Sequence, residues 1–363
     1  MKITIHQIPG TYDRKTCYVH ARACALDEKN LLLTAQKLDV SGSDLFFPLE
    51  AFRSSDGGQS FYRDVTQAAF TAQPNPDGTR TLACDYTHLL HRKTGVPLIC
   101  GHSVSYGPDS DRPLLGIPYF TAYHTYDLAT RTYSPLQKVE LPIDLYPRCA
   151  TGCSQFLEEE NGDVLIPVCI SRSTSPHTAA AVMRCSFDGR TLRFLEMSNE
   201  LTWHEPRGLG EGSICRFNGK YYLTLRNDFH GFYSVSDDGT HFSDPQLWCW
   251  DTGLELPNYN TQQHWLICGG KLYLVYTRKS GNNDHVFRHR APLYIAQVDT
   301  DSMQLLRHTE QIVVPERGAR LGNFGVTQIN ENKAIITVTE WMQPAGCEAY
   351  GSNNALFVTT VEA

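Results

Sequence analysis

The stretch "SSDGGQSF" (54–61) packs a Ser pair, an Asp, two Gly and a terminal aromatic into one short segment. Asp56 can accept hydrogen bonds from the backbone N–H groups just beyond it. Gly57 and Gly58 tolerate positive φ, and Phe61 can fold back as an apolar plug. The apolar, aromatic "LFFPLEAFR" (45–53) precedes it and the alternating "SFYRDV" (60–65) follows. The stretch therefore reads as a hairpin turn between two strands.

The turn recurs. In "VSDDGTHF" (235–242), Asp237, Gly239 and Phe242 repeat the offsets of Asp56, Gly58 and Phe61, with Val235 where Ser54 stands. Looser versions occur at "YDLATRTY" (126–133, Asp127), "SFDGRTLRF" (186–194, Asp188) and "VDTDSMQLL" (298–306, Asp299). The markers recur at roughly 50 to 70 residues, the size of a four-stranded propeller blade, so they imply at least five blades. The ends of the chain supply a sixth. Three strands, "FGVTQIN" (324–330), "KAIITVTEW" (333–341) and "NALFVTTVE" (354–362), follow the last marker, and "KITIHQI" (2–8) is a strand without a hairpin partner of its own. Letting that first strand complete the last blade removes the open edges of a linear array. The predicted fold is all-β, a six-bladed β-propeller spanning 1–363 as one domain, with the N-terminal strand closing the last blade.

Composition fits a propeller and excludes other classes. Hydrophobic residues make up 41% and aromatic residues 11%, enough for a sizeable core. A net charge of −7 without a basic run argues against a nucleic-acid partner. No apolar run reaches the roughly 18 residues of a membrane span, and "MKITIHQIPG" (1–10) lacks the basic and apolar regions of an export signal. The chain has 12 cysteines. Most, such as Cys24, Cys169, Cys215 and Cys268, sit inside apolar strands, where a thiol acts as a small hydrophobe. Cys149 and Cys153 are the only close pair, and no second pair accompanies them. Free thiols, no metal, no cofactor and a cytoplasmic location are the expectations.

The turn pattern S-x-D-x-G-x-[ST]-F, repeated from blade to blade, resembles the Asp box of the sialidase superfamily. The resemblance covers the whole chain at blade level and implies a six-bladed propeller acting on acidic sugars, with the substrate at the axial mouth. In "GEGSICRFNGKYYLTLRNDF" (210–229), Glu211 opens an inner strand and Arg226 closes the next. They match the family's Glu, which polarises the nucleophile, and one of its three carboxylate-binding Arg. In "GNNDHVFRHRAPLYIAQVD" (281–299), Arg290 resembles another, with Arg288 and His289 as substitutes. A guanidinium suits this role because its fork matches a carboxylate bidentately. The acid/base Asp of the family falls in "QKLDVSGSDLFF" (36–47), where Asp44 fits best and Asp39 stands behind it.

Two positions depart from the family pattern. Where sialidases begin the first inner strand with an Arg, "CYVHARACAL" (17–26) places His20, with Arg22 two residues on and on the same strand face. Where they carry a Tyr nucleophile, "RLGNFGVTQIN" (320–330) places Phe324, which cannot attack. A covalent tyrosyl intermediate then needs Tyr259 of "NYNTQQHW" (258–265); otherwise water attacks directly, with Glu211 as base and Asp44 as acid. Gln262, Gln263 and His264 of the same stretch are expected to line the mouth. The resemblance implies a sialidase-like exo-glycoside hydrolase removing a terminal sialic acid or uronate, with a small anionic carbohydrate as partner. Two alternatives stand beside it: a lyase using His20 or a Tyr as base, and a sugar-binding propeller without catalysis.

Overall fold

A computed structural model of the chain describes residues 1–363 apart from 43, 65–67, 109–112, 115, 116 and 118. Among the described residues the strands form six antiparallel sheets, arranged as a six-bladed β-propeller. Blade 1 runs outward through Thr16–Ala25, Leu31–Asp39, Phe46–Ser54 and Tyr62–Arg63. Only Tyr62–Arg63 of the strand predicted at 60–65 pairs, and Val65 lies outside the described residues. Blade 2 is built on Arg80–His91, Val96–Tyr106, Thr121–Asp127 and Thr132–Tyr133. In blade 3 the inner edge is split into Cys149–Ala150 and Leu157–Glu158, followed by Val164–Ile170, Ala179–Phe187 and Leu192–Met197.

Blade 4 comprises Gly210–Phe217, Lys220–Arg226, Gly231–Ser236 and Gln246–Leu247. Blade 5 comprises His264–Cys268, Lys271–Tyr276, Leu293–Asp299 and Gln304–Leu305, with Gln311–Val314 also on its third strand. Blade 6 takes Gly325–Asn330, Lys333–Thr339 and Leu356–Glu362, and its fourth strand is Lys2–Ile8. That N-terminal strand runs antiparallel to the C-terminal one, from Lys2 opposite Glu362 to Ile8 opposite Leu356. Blade 6 packs against the inner strand of blade 1, which closes the ring.

The apolar core lies in layers between blades, because each sheet buries both faces against its neighbours. Leu165, Leu223 and Phe232 fill the layer between blades 3 and 4, and Trp248, Trp265 and Tyr276 the layer between blades 4 and 5. All five Asp-bearing turns join the third and fourth strands of a blade. In the first, Gly58 N–H donates to Ser54 Oγ at 2.9 Å and Ser60 N–H to Asp56 Oδ1 at 3.0 Å. In blade 4 the working carboxylate is Asp238, which accepts from Thr240 N–H and His241 N–H at 2.8 Å. Ser236 takes the place of Ser54 there, through Gly239 N–H at 2.9 Å, and Asp237 points outward with its side chain 88% exposed. The turn closes one residue sooner than in blade 1, so the offsets from Gly and Phe misassign its Asp.

The inner strands share one irregularity. His20, Asp85, Cys153 and Glu211, in blades 1 to 4, adopt φ of +55°, +56°, +53° and +45°. The ladder slips beside three of them, between Val19 and Arg22, between Cys84 and Thr87, and between Gly210 and Ser213. These are β-bulges with a non-glycine residue in the left-handed region, a device that re-aims a side chain out of the pleat.

Candidate active site

A cavity of about 650 Å³ opens at one end of the propeller axis, and all six blades line it. The four kinked residues all reach its wall. The described lining residues include six arginines (148, 207, 226, 288, 290 and 320) against three carboxylates, Asp44, Asp85 and Glu211. A cationic cup inside an acidic protein focuses an anionic ligand.

Glu211 and Arg226 face each other because Gly210 pairs with Arg226 across the first hairpin of blade 4. Arg226 Nη1 donates to Glu211 Oε1 and Oε2 at 2.5 and 2.6 Å, and Nη2 donates to Asn260 Oδ1 at 2.6 Å. Burial alone would raise the Glu211 carboxyl, but Arg226 and Arg207 outweigh it and hold it below its ordinary value. Both of its oxygens are thus engaged by a cation.

Arg290 is set differently. It is 3% exposed, and its donors reach only neutral acceptors: Asn260 O from Nε at 2.9 Å, Asn323 Oδ1 from Nη1 at 3.0 Å and Asn260 Oδ1 from Nη2 at 3.2 Å. Burial, and then Arg226 and Arg320, pull its guanidinium well below the usual arginine range. Gly322 makes the room, since a Cβ there would stand 2.5 Å from Arg290 Cδ. Arg320 lies 4.0 Å over the Trp341 ring, and burial followed by Arg288 brings it down to about 10. Arg288 also lines the cavity and is lowered by burial and by Arg226. A buried cation without a counter-charge is stable only if something else supplies the negative charge.

The other side of the cup carries the acids. Asp44, in the loop between Leu31–Asp39 and Phe46–Ser54, is solvent-accessible at the mouth yet surrounded by protein. Desolvation, and then Asp85, raise its carboxyl. Asp85 Oδ1 lies 2.9 Å from His20 Nε2, 3.6 Å from Arg22 Nη2 and 3.0 Å from the Cys153 thiol; Oδ2 lies 3.8 Å from His102 Nδ1. Burial opposes its charge, but His20, His102 and Arg22 hold Asp85 well below the usual carboxylate range.

The structure brings Asp44, Glu211, His20, Arg226, Arg288 and Arg290 into one cavity and leaves six expected residues out of its wall. The bulge separates His20 from Arg22: His20 is on the wall, its ring 5.3 Å from Phe46 and 5.7 Å from Trp341, while Arg22 lies beneath. There Arg22 donates to the carbonyls of Phe324 and Tyr86, both at 3.2 Å, in space left by Gly325. Phe324 packs edge-on against His264, with centroids 4.7 Å apart. His264 bonds Ser213 Oγ at 2.7 Å, and burial, then Arg22, lower it to about 3, a neutral core imidazole. Gln263 accepts from Thr224 at 2.6 Å and donates to Thr261 O at 3.1 Å. Tyr259 stacks under Lys279 at 4.2 Å and beside His289 at 5.7 Å, away from the cup. Gln262 is buried and also off the wall. Asp85 and Arg320 are among the lining residues that sequence reasoning missed, as are Arg148, Arg207 and His102. Arg320 opens the very stretch read for its Phe, and Asp85 sits in the apolar run "ACDYTHLL" (83–90), where only the kink turns it inward.

No family model matches the sequence, and no curated protein does. Solved structures do. A protein of unknown function from Dyadobacter fermentans aligns over 99% of both chains with a TM-score of 0.70 and 13% identity. A Hadza microbial sialidase aligns over 98% of this chain and 68% of its own, with a TM-score of 0.68 and 12% identity. Trypanosoma rangeli sialidase in complex with sialic acid gives a TM-score of 0.62 and 13% identity, over 99% of this chain and 59% of its own. At these identities the likeness establishes a sialidase-like propeller fold. No helix among the described residues is long and apolar enough to cross a membrane.

Proposed function

We propose that the protein is a sialidase-like exo-glycoside hydrolase that removes a terminal acidic sugar, a sialic acid or a uronate, from an oligosaccharide in a reducing compartment. The observation that carries this reading is Arg290, a buried guanidinium with only neutral acceptors, flanked by Arg226, Arg288 and Arg320 at the wall of one cavity. A substrate carboxylate supplies the missing negative charge, held by Arg226, Arg290 and Arg320. Asp44, its carboxyl raised by desolvation and then by Asp85, is the group suited to protonate the leaving oxygen. Glu211 fixes Arg226 in place. His20, wedged between Phe46 and Trp341 on Asp85, positions that carboxylate, which argues against the elimination reading in which His20 is the base.

Release of a chromophore from p-nitrophenyl glycosides of acidic and neutral sugars tests the reading. Turnover restricted to acidic glycosides, with a saturated product, is the expected result. An unsaturated, ultraviolet-absorbing product would establish a lyase, and tight binding of acidic sugars without turnover would establish a lectin.

A further inference from the structure

Hydrolysis needs either a protein nucleophile or a base-activated water at the anomeric carbon as the leaving oxygen departs. Phe324 is buried off the wall, and the only tyrosine among the described lining residues, Tyr119, sits on the blade 2 lip with Arg148 at 5.7 Å from its ring. Glu211 gives both oxygens to Arg226. Of the three carboxylates among the described lining residues, Asp44 alone is raised by its surroundings. Asp85 remains. Its φ of +56° turns it out of the blade 2 inner strand. His20, Arg22 and Cys153 all lie on Oδ1, whereas Oδ2 has only His102 Nδ1, at 3.8 Å, and is the oxygen open to a ligand.

We infer that Asp85 is the nucleophile of this site and that the substrate is consequently a hexuronide rather than a sialoside. The inference rests on the acidic-sugar reading above and adds to it the residue and the sugar. In the first step Asp85 Oδ2 bonds to the anomeric carbon as the glycosidic C–O bond breaks, and the leaving oxygen takes the proton of Asp44. In the second, Asp44, now ionised, takes a proton from water, whose oxygen attacks the same carbon and releases Asp85. The sum is hydrolysis with retained anomeric configuration. The environment splits the two carboxyls in the direction this division requires, Asp85 held low by His20, His102 and Arg22 and Asp44 raised by desolvation and by Asp85.

The sugar follows from charge. A sialoside carries its carboxylate on the anomeric carbon, where an anionic nucleophile would be repelled at contact distance; a neutral phenol avoids that repulsion and a carboxylate cannot. A hexuronide carries its carboxylate across the ring. In a ring of six, blade 5 stands opposite blade 2, which puts Arg290 and Asp85 on parts of the wall that opposite blades contribute. A uronate can then lie with its acid on the guanidiniums and its anomeric carbon at Asp85.

The wild-type chain is assayed on p-nitrophenyl glucuronide, galacturonide and N-acetylneuraminide, and treated with the matching deoxyfluoro uronosyl fluorides, followed by peptide mass spectrometry. One uronide is expected to be cleaved about 10²-fold or more faster than the sialoside, with retention by NMR, and the fluoride to label the peptide bearing Asp85. Asp85→Asn is expected to lose about 10²–10⁴ in kcat while free uronate still raises its melting temperature. Sialoside cleavage as fast as that of either uronide, inversion, or a label on another residue overturns the inference and leaves the acidic-glycosidase reading intact. A wild-type chain inert towards all three glycosides and unshifted by uronate overturns both.

Discussion

Replacing Arg290 with Met deletes a buried cation while keeping most of its aliphatic length, and the outcome turns on which of two effects is larger. The variant loses the hydrogen bonds to Asn260 and Asn323. Asn260 Oδ1 keeps Arg226 Nη2 at 2.6 Å, and Asn323 is at the cavity wall where water reaches it, so Asn260 O is the acceptor left short. Leaving one buried acceptor unpaired costs about 1–3 kcal/mol. Against this stands the removal of a charge that is 3% exposed and has three guanidinium neighbours, a relief of about 1–4 kcal/mol. The two ranges nearly cancel, so the ligand-free variant is expected to fall between about 2 kcal/mol less stable and about 3 kcal/mol more stable than the wild type. Arg226→Met in the same cavity should lose more. It strands Glu211, whose remaining cation, Arg207, is 3.8 Å away, and breaking such a pair costs about 3–5 kcal/mol. Both variants lose charge-assisted bonds to a substrate carboxylate, about 1.5–3 kcal/mol each, so uronate affinity falls by about 10²-fold or more. Urea unfolding followed by tryptophan fluorescence, with and without free uronate, measures both quantities. If Arg290→Met is destabilised as much as Arg226→Met, the Asn bonds outweigh the uncompensated charge, and the argument that the cavity awaits an anion fails.

Asp44→Asn should lose turnover of poor leaving groups while retaining part of the aryl glycoside rate, and should abolish the high-pH fall in activity, as a pH–rate profile will show. Because the folded carboxyl is raised above its unfolded value of 3.8, stability should decline as pH rises through the window between the two, and the Asn variant should flatten that decline in pH-dependent urea melts. In the blade 4 turn, Asp238→Ala should cost about 1–2 kcal/mol and Asp237→Ala less than about 0.5 kcal/mol, a contrast that equilibrium denaturation resolves. Of the twelve thiols only Cys169 and Cys249 are partly exposed, so a thiol reagent should titrate those two slowly in the folded protein and all twelve in urea. Cys169, pushed up to about 11 by burial and lining the cup, should be shielded when uronate is bound.

Much of the architecture was legible because turn chemistry and strand patterning are local. Asp56 and its recurrences marked where the third strand turns into the fourth in five of the blades, and the unpartnered "KITIHQI" (2–8) announced the closure with Leu356–Glu362. The pairing of Glu211 with Arg226 was legible for the same reason, since a tight hairpin brings its two ends together. The floor of the cup was not. Period-two alternation holds only while the ladder is regular, and it breaks at His20 and Asp85. There it put Arg22 on the wall with His20 and gave no sign that Asp85 turns inward. Gln263, His264 and Tyr259 failed differently: polar side chains near an inner-strand start can satisfy one another within the protein, as Gln263 does with Thr224 and Thr261. The shift from Asp237 to Asp238 shows that a turn can shed a residue while keeping its hydrogen-bond pattern.

The four left-handed residues of the inner strands have a bearing on how this scaffold tolerates change. Each holds a conformation that costs about 1–2 kcal/mol for a side-chain-bearing residue, and the rest of its blade compels it to do so. Glycine at any of them would relieve that strain and leave the cup chemically mute, but at Asp85 and Glu211 it would also strand the buried Arg22 and Arg226, a larger loss. Conversely, exchanging one of these side chains for another leaves the sheets as they were, because the bend belongs to the backbone. The molecule thus resembles a turret with fixed gunports, in which new reactivity can be tried at the openings without rebuilding the walls.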